Sequence, residues 1–227
     1  MDAKLILEQL LAASQTAKEK GLDFAEENLG LPESGEKRDA MLDGLGKGAL
    51  AAGAVAVLLG TKSGRTLTGT ALKVGGVAAV GGLAYKAFNN WQAQQNITLQ
   101  DTGTPIAELS EPDANVRSEA IVKAMISAAK SDGHIDANEQ KLITSKIESL
   151  GLEQDITAFL MTELNKPLDV ADVVALADTK ETAAEIYLAS AMVVDLNQTE
   201  ERQYMDSLAA GLELDPALAS ELEAALT

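Results

Sequence analysis

With no cysteine and a single histidine in 227 residues, the chain is short of the commonest nucleophiles and general bases. Thiolate nucleophiles, disulfides and cysteine-type zinc sites are excluded at once. A Ser/His/Asp relay would have to use His134, on a turn beside Gly133, and no nucleophile-elbow sequence occurs. An exposed turn residue is the simpler reading of His134. The glycines between residues 44 and 82 make no phosphate loop, because neither the lysine-bearing motif nor a preceding strand is there.

The acids gather at two similar corners. One runs Asp132-Gly133-His134-Ile135-Asp136-Ala137-Asn138-Glu139 and leads on to Gly151-Leu152-Glu153. The other runs Asp195-Leu196-Asn197-Gln198-Thr199-Glu200-Glu201 and leads on to Gly211-Leu212-Glu213. The first does not read as an EF-hand: counting from Asp132, the sixth position is Ala137 where glycine is needed, and the twelfth is Ile143 rather than a carboxylate. Local structure accounts for several of these acids. Asp136 and Glu139 suit a capping box, and Asp132 suits an acceptor for turn N–H groups.

The elements that position these corners read as helices. Alanine and leucine dominate, strand-type alternation is absent, and the expected fold class is all-α. In the C-terminal half, residues 113–227, about seven helices follow from stripes and caps. The first covers about Asp113–Ser131 and buries Ile121, Ala124, Met125 and Ala128. The second starts at Asp136 and buries Ile143, Ile147 and Leu150. The third, about Glu153–Leu164, uses Ile156, Phe159 and Leu160, and the fourth, Asp169–Asp178, uses Val170, Val173, Val174 and Ala177. The fifth, about Lys180–Val194, is apolar over most of its circumference after Glu185, which makes it the central helix. The sixth begins near Thr199 and buries Tyr204, Met205 and Leu208. The seventh has Asp215 as cap, Pro216 in its first position, and Leu218, Leu222 and Leu226 inward.

Upstream, charge is divided unevenly. Residues 1–43 hold 10 acids and 5 bases, residues 44–100 hold 5 bases and no acid, and residues 101–227 hold 25 acids and 8 bases. The C-terminal half repels phosphate backbones, so nucleic acid is not an expected partner. Residues 1–30 form an N-terminal helical segment, with an amphipathic helix from about Ala3 to Lys20 and a shorter piece at Asp23–Leu29. A linker at 31–43 follows. Met1-Asp2-Ala3-Lys4 lacks the basic start and apolar core of a secretory signal, so a cleaved leader is not expected.

The acid-free stretch coincides with a glycine- and alanine-rich apolar segment, 44–91, and a second linker, 92–112, separates it from the bundle. Gly48–Gly60 and Val74–Tyr85 are uncharged blocks, each too short for the ~30 Å hydrocarbon core. Two arrangements suit lipid: a single span over Leu67–Phe88, or a hairpin turning at Thr61–Arg65. The alternative is a pair of small-residue helices buried in a soluble core. Lipid is favoured because each glycine costs a soluble helix up to ~1 kcal/mol, which close packing in a membrane offsets. Lys62 and Arg65 precede the single span and would set its amino side in the cytoplasm.

The stretch Ser131–Glu139 resembles the ADG-x-I-D-x-x-E signature of TerB-like domains, the helical module named for tellurite-resistance proteins. The order of parts, with VVDLNQTEERQYMDSLAAGLELD near the end, is similar to that of the bacterial inner-membrane family typified by YebE. The resemblance spans about residues 40–227 and implies a TerB-like bundle, a bacterial source and an inner-membrane location with the bundle in the cytoplasm. It brings no established reaction. By the same resemblance, metal ligands are expected at Asp132, Asp136 and Glu139 in the first corner and at Asp195, Glu200 and Glu201 in the second. The second corner departs from the signature at Leu196 and Gln198. All-oxygen ligands favour Ca²⁺ or Mg²⁺.

Three functions follow as expectations. The first is a non-enzymatic, membrane-associated protein, tethered to lipid through 44–91, that offers an acidic helical surface to a protein partner or to itself. The second is a cation-binding, stress-sensing domain related to tellurite resistance. An enzyme using paired carboxylates is the least favoured.

Overall fold

The computed structural model describes residues 2–8, 77–97, 103–131, 144 and 154–226, and over these the chain is helical with no strand. Among them are α1 (Val77–Gln95), α2 (Glu111–Ala129), α3 (Gln154–Asn165), α4 (Val170–Val174), α5 (Lys180–Ala191), α6 (Thr199–Gly211) and α7 (Pro216–Ala224). A 3₁₀ turn, Ile106–Glu108, lies between α1 and α2, and residues 3–8 form one more helical stretch.

The all-α expectation holds, and so does the choice of central helix. Every residue of α5 from Glu181 to Ala191 is buried, and α1, α2, α6 and α7 all pack on it. Its start is fixed by Thr179, whose hydroxyl accepts the Thr182 N–H at 3.1 Å. That cap shortens the helix before it. Asp178 and Thr179 are committed to α5, so α4 ends at Val174 instead of reaching Asp178. Asp169 caps α4 by accepting the Ala171 N–H at 2.8 Å, and Asp215 does the same for α7 through Ala217. The stripes expected for α2, α6 and α7 are all buried. On α3, Ile156 and Leu160 are buried and Phe159 is half-buried.

The bundle begins well before Asp113. Ser110 and Asp113 form a reciprocal cap, with the Ser110 hydroxyl donating to Asp113 Oδ2 at 2.6 Å, so α2 starts at Glu111. Pro112, expected in a linker, is tolerated because the first helical turn needs no N–H from it. The expected linker 92–112 also contains the end of α1 and the buried Ile106. At the other extreme, Asn115 of α2 accepts the Ala3 N–H at 2.6 Å and the Lys4 N–H at 3.2 Å, and Ile6 and Leu7 are buried.

The carboxyl part of the expected lipid segment forms α1, a wall of this same core. Val80, Ala84, Ala87, Phe88 and Trp91 are buried against α5 and α7. Phe88 and Trp91 pack in a tilted pair, 5.5 Å between ring centroids and 53° between planes. Trp91 Nε1 donates to Asp215 Oδ1 at 3.3 Å and Gln94 Nε2 to Glu221 Oε1 at 2.7 Å, tying α1 to α7. Gly81 permits the approach: a Cβ there would meet Ile106 Cγ2 at 2.6 Å. No helix among the described residues is long and apolar enough to cross a membrane. For 77–91, packing within the folded body is therefore the arrangement observed, and residues 44–76 lie outside the described residues.

Two further joints matter for the sites. Gly103 has φ +110°, and a Cβ there would stand 2.7 Å from Thr179 Oγ1, so the connector from α1 lies directly on the start of α5. Lys130, at the end of α2, donates to the carbonyls of Glu163 and Lys166 at the end of α3, and burial lowers its pKa.

Candidate functional site

Asp132, His134, Asp136 and Glu139 lie outside the described residues, as do the 23–29 helix and, apart from Thr144, the expected second helix of the bundle. The corner that is described begins where α5 ends. Asp195 Oδ1 accepts both the backbone N–H of Asn197 (3.0 Å) and its side-chain amide (2.7 Å). The Gln198 N–H donates to the Asp195 carbonyl at 2.8 Å, and Gln198 then leads into α6 without a side-chain cap. Glu201 closes the corner from the helix side. It sits in the first turn of α6, is buried, and turns back to accept the Asp195 N–H.

The three acids of this corner thus have different surroundings. Asp195 is half-buried and shapes the turn, Glu201 is buried and closes it, and Glu200 is exposed. Negative charge in the first turn of α6 is also favoured by the helix dipole. Among the described residues no three His, Cys, Asp or Glu side chains are grouped so as to hold a metal ion.

A second centre lies inside the bundle, and the sequence pattern did not single it out. Glu185 of α5 is fully buried. Its Oε2 accepts from Arg117 Nη1 of α2 at 2.9 Å, and its Oε1 accepts from the backbone N–H of Ile106 at 2.9 Å. Arg117 is itself buried and reaches Asp178 at 3.7 Å. Burial raises the Glu185 pKa, opposed by the Ile106 N–H and by Arg117. Asp178 moves the other way, lowered first by the Thr182 hydroxyl and then by Arg117. One carboxylate therefore fastens three separate pieces of chain: α2, the 3₁₀ turn and α5. The signal available in the sequence was a pair of acids, Glu181 and Glu185, one helical turn apart ahead of the apolar run of the central helix.

A third cluster joins α5, α6 and α7. The Tyr187 hydroxyl donates to Glu223 Oε1 at 2.6 Å, and Arg202 reaches the same oxygen at 2.9 Å while holding Asp206 at 2.9 Å. Burial and the Glu223 carboxylate push the Tyr187 pKa up. Nearby, Tyr204 is buried beside Ser127 and Ser190, and burial raises its pKa to about 12.

The surface around these centres is acidic. Among the described residues 13 acids are exposed, against 3 exposed bases, Lys86, Lys166 and Lys180. None of those acids lies on α1.

The family described as "Protein of unknown function (DUF533)" matches residues 44–226. The chain belongs to this family. It is also similar to the "Uncharacterized protein in ampR 5'region" of Yersinia enterocolitica, at 29% identity over 98 residues, which is 43% of this chain and 70% of that protein. No solved structure gives a significant match. The matched region starts at the first residue of the acid-free segment and runs to the end of the bundle, so both halves are features of this DUF533 protein.

Proposed function

We infer that the chain is a non-enzymatic, membrane-associated protein that presents an acidic helical bundle to a basic protein partner or to further copies of itself. The observation that carries this reading is the segregation of charge. Residues 44–100 contain no acid, whereas 13 acids and only 3 bases are exposed on the described surface. A basic, apolar stretch suits lipid, and an acidic surface is kept off anionic headgroups and steered toward cationic partners. The resemblance to TerB-like domains and to the YebE-like inner-membrane family supports the same reading and favours a bacterial inner membrane with the bundle on its cytoplasmic side.

The lipid-inserting part falls to residues 44–76, since the residues after them are engaged in the bundle. Fractionation of the full chain, and of a version lacking 44–76, tests the tether. The full chain should sediment with membranes and be released by detergent rather than salt, and the shortened one should stay in solution. Recovery of the full chain in the supernatant without detergent overturns the reading. Calorimetric titration with Ca²⁺ and Mg²⁺ separates the cation-sensing alternative. Heat that disappears in Asp195→Asn would favour the sensor, with the two acidic corners as its ligands.

A further inference from the structure

We propose that α1 lies flat on the surface of an anionic bilayer, with the stripe Gly82, Tyr85, Lys86, Asn89, Asn90 and Ala93 facing the headgroups. This rests on the tether reading above and adds the orientation of the bundle. These six positions are exposed and recur at helical spacing, opposite the buried Val80, Ala84, Ala87, Phe88 and Trp91. The helix cannot stand upright in lipid while its apolar face fills the groove between α5 and α7. Its outer face is what remains available.

Charge selects this face and the occupant. The 19 residues of α1 include no acid, and Lys86 gives the stripe a positive charge. Asp215 and Glu221 border α1 through Trp91 and Gln94, which are not part of the stripe, and exposed acids such as Asp113, Asp172, Asp206 and Glu213 lie outside α1 and would be repelled by anionic lipid. Tyr85, 47% exposed, is the aromatic type that settles at headgroup level. At about 1.5 Å per residue, the stripe from Gly82 to Ala93 offers a contact roughly 17 Å long. It also continues directly from the stretch bearing Lys47, Lys62, Arg65 and Lys73, so the anchor and the contact adjoin in the chain.

Because the chain has no cysteine, single labels can be placed cleanly. Nitroxides at Asn89→Cys on α1 and Gln203→Cys on α6 are compared in the full chain on phosphatidylcholine vesicles with and without phosphatidylglycerol. With phosphatidylglycerol, the Asn89 label should become shielded from a water-soluble relaxant while the Gln203 label stays accessible. Emission of Trp91, the one tryptophan, should not move, because its ring remains in the core. Lys86→Gln should weaken this docking about fivefold, the equivalent of one cation near the surface, while the chain still sediments with vesicles. An Asn89 label as accessible as Gln203 on vesicle-bound chain overturns the inference and leaves the tether standing. So does a shift of Trp91 emission that reports α1 leaving the bundle. Absence of binding to either vesicle overturns both readings together.

Discussion

Glu185 and Glu201 are both buried glutamates that accept a backbone N–H, yet they hold the molecule at different ranges. Glu201 reaches six residues back along its own chain to close a corner. Glu185 reaches Ile106, 79 residues away, and Arg117, 68 residues away. The corner is a local device that any helix start can use. The centre is a tertiary one, in which a charge removed from water has only its partners to compensate it. Acids that crowd together in the sequence mark where the chain turns, whereas the acid that fastens the fold is one of two, Glu181 and Glu185, at the start of the most buried helix.

Breaking the centre should have the largest effect. Glu185→Leu leaves buried Arg117 with only the longer contact to Asp178 and frees the Ile106 N–H, and should lower the unfolding free energy by about 3–5 kcal/mol in urea titrations. Adding Arg117→Met should recover much of that loss, because the uncompensated charge goes with it. A double variant no more stable than the single one would show that packing, rather than charge, dominates the site.

Tyr204 extends the comparison to pH. Its folded pKa is raised above the ordinary value of 10.0 to about 12, so the folded state keeps a proton that the unfolded state releases. Its contribution is complete below pH 10 and is lost as pH rises toward 12, a change of about 2–3 kcal/mol if burial is maintained. Tyr204→Phe should flatten that alkaline decline in melting temperature. A decline of unchanged steepness would assign it to other groups.

Within the corner the effects should be smaller and graded. Glu201→Ala removes the acceptor for Asp195 N–H and should cost about 1–2 kcal/mol. Asp195→Ala loosens the turn by about 1 kcal/mol, and Glu200→Gln, on an exposed side chain, changes stability by about 0.5 kcal/mol or less. Chemical denaturation of the three variants gives the order directly. Equal losses for Glu200 and Glu201 would remove the distinction drawn between them.

The order of these elements was readable because it depends on local chemistry. Thr179, Asp169 and Asp215 sit where caps are expected, and α5 is apolar around most of its circumference. What escaped depended on distance. Nothing local distinguishes an alanine- and glycine-rich helix bound for lipid from one bound for a protein groove, and α1 has the composition of both. Gly81 and Gly103 looked like membrane-type or linker glycines until their neighbours, Ile106 and Thr179, were in place. The Glu185–Arg117 pair escaped for the same reason, since neither residue's partner is within reach on its own helix.

The bonds from Trp91 to Asp215 and from Gln94 to Glu221 join positions 124 and 127 residues apart. On the ribosome, α1 emerges long before the helix it must dock against. Its apolar face has to wait in the nascent chain, an exposed surface of the kind that chaperones shield, until α7 has been made. Closure of the bundle is therefore a late event, and such long-range pairing slows folding relative to a simple up-and-down bundle.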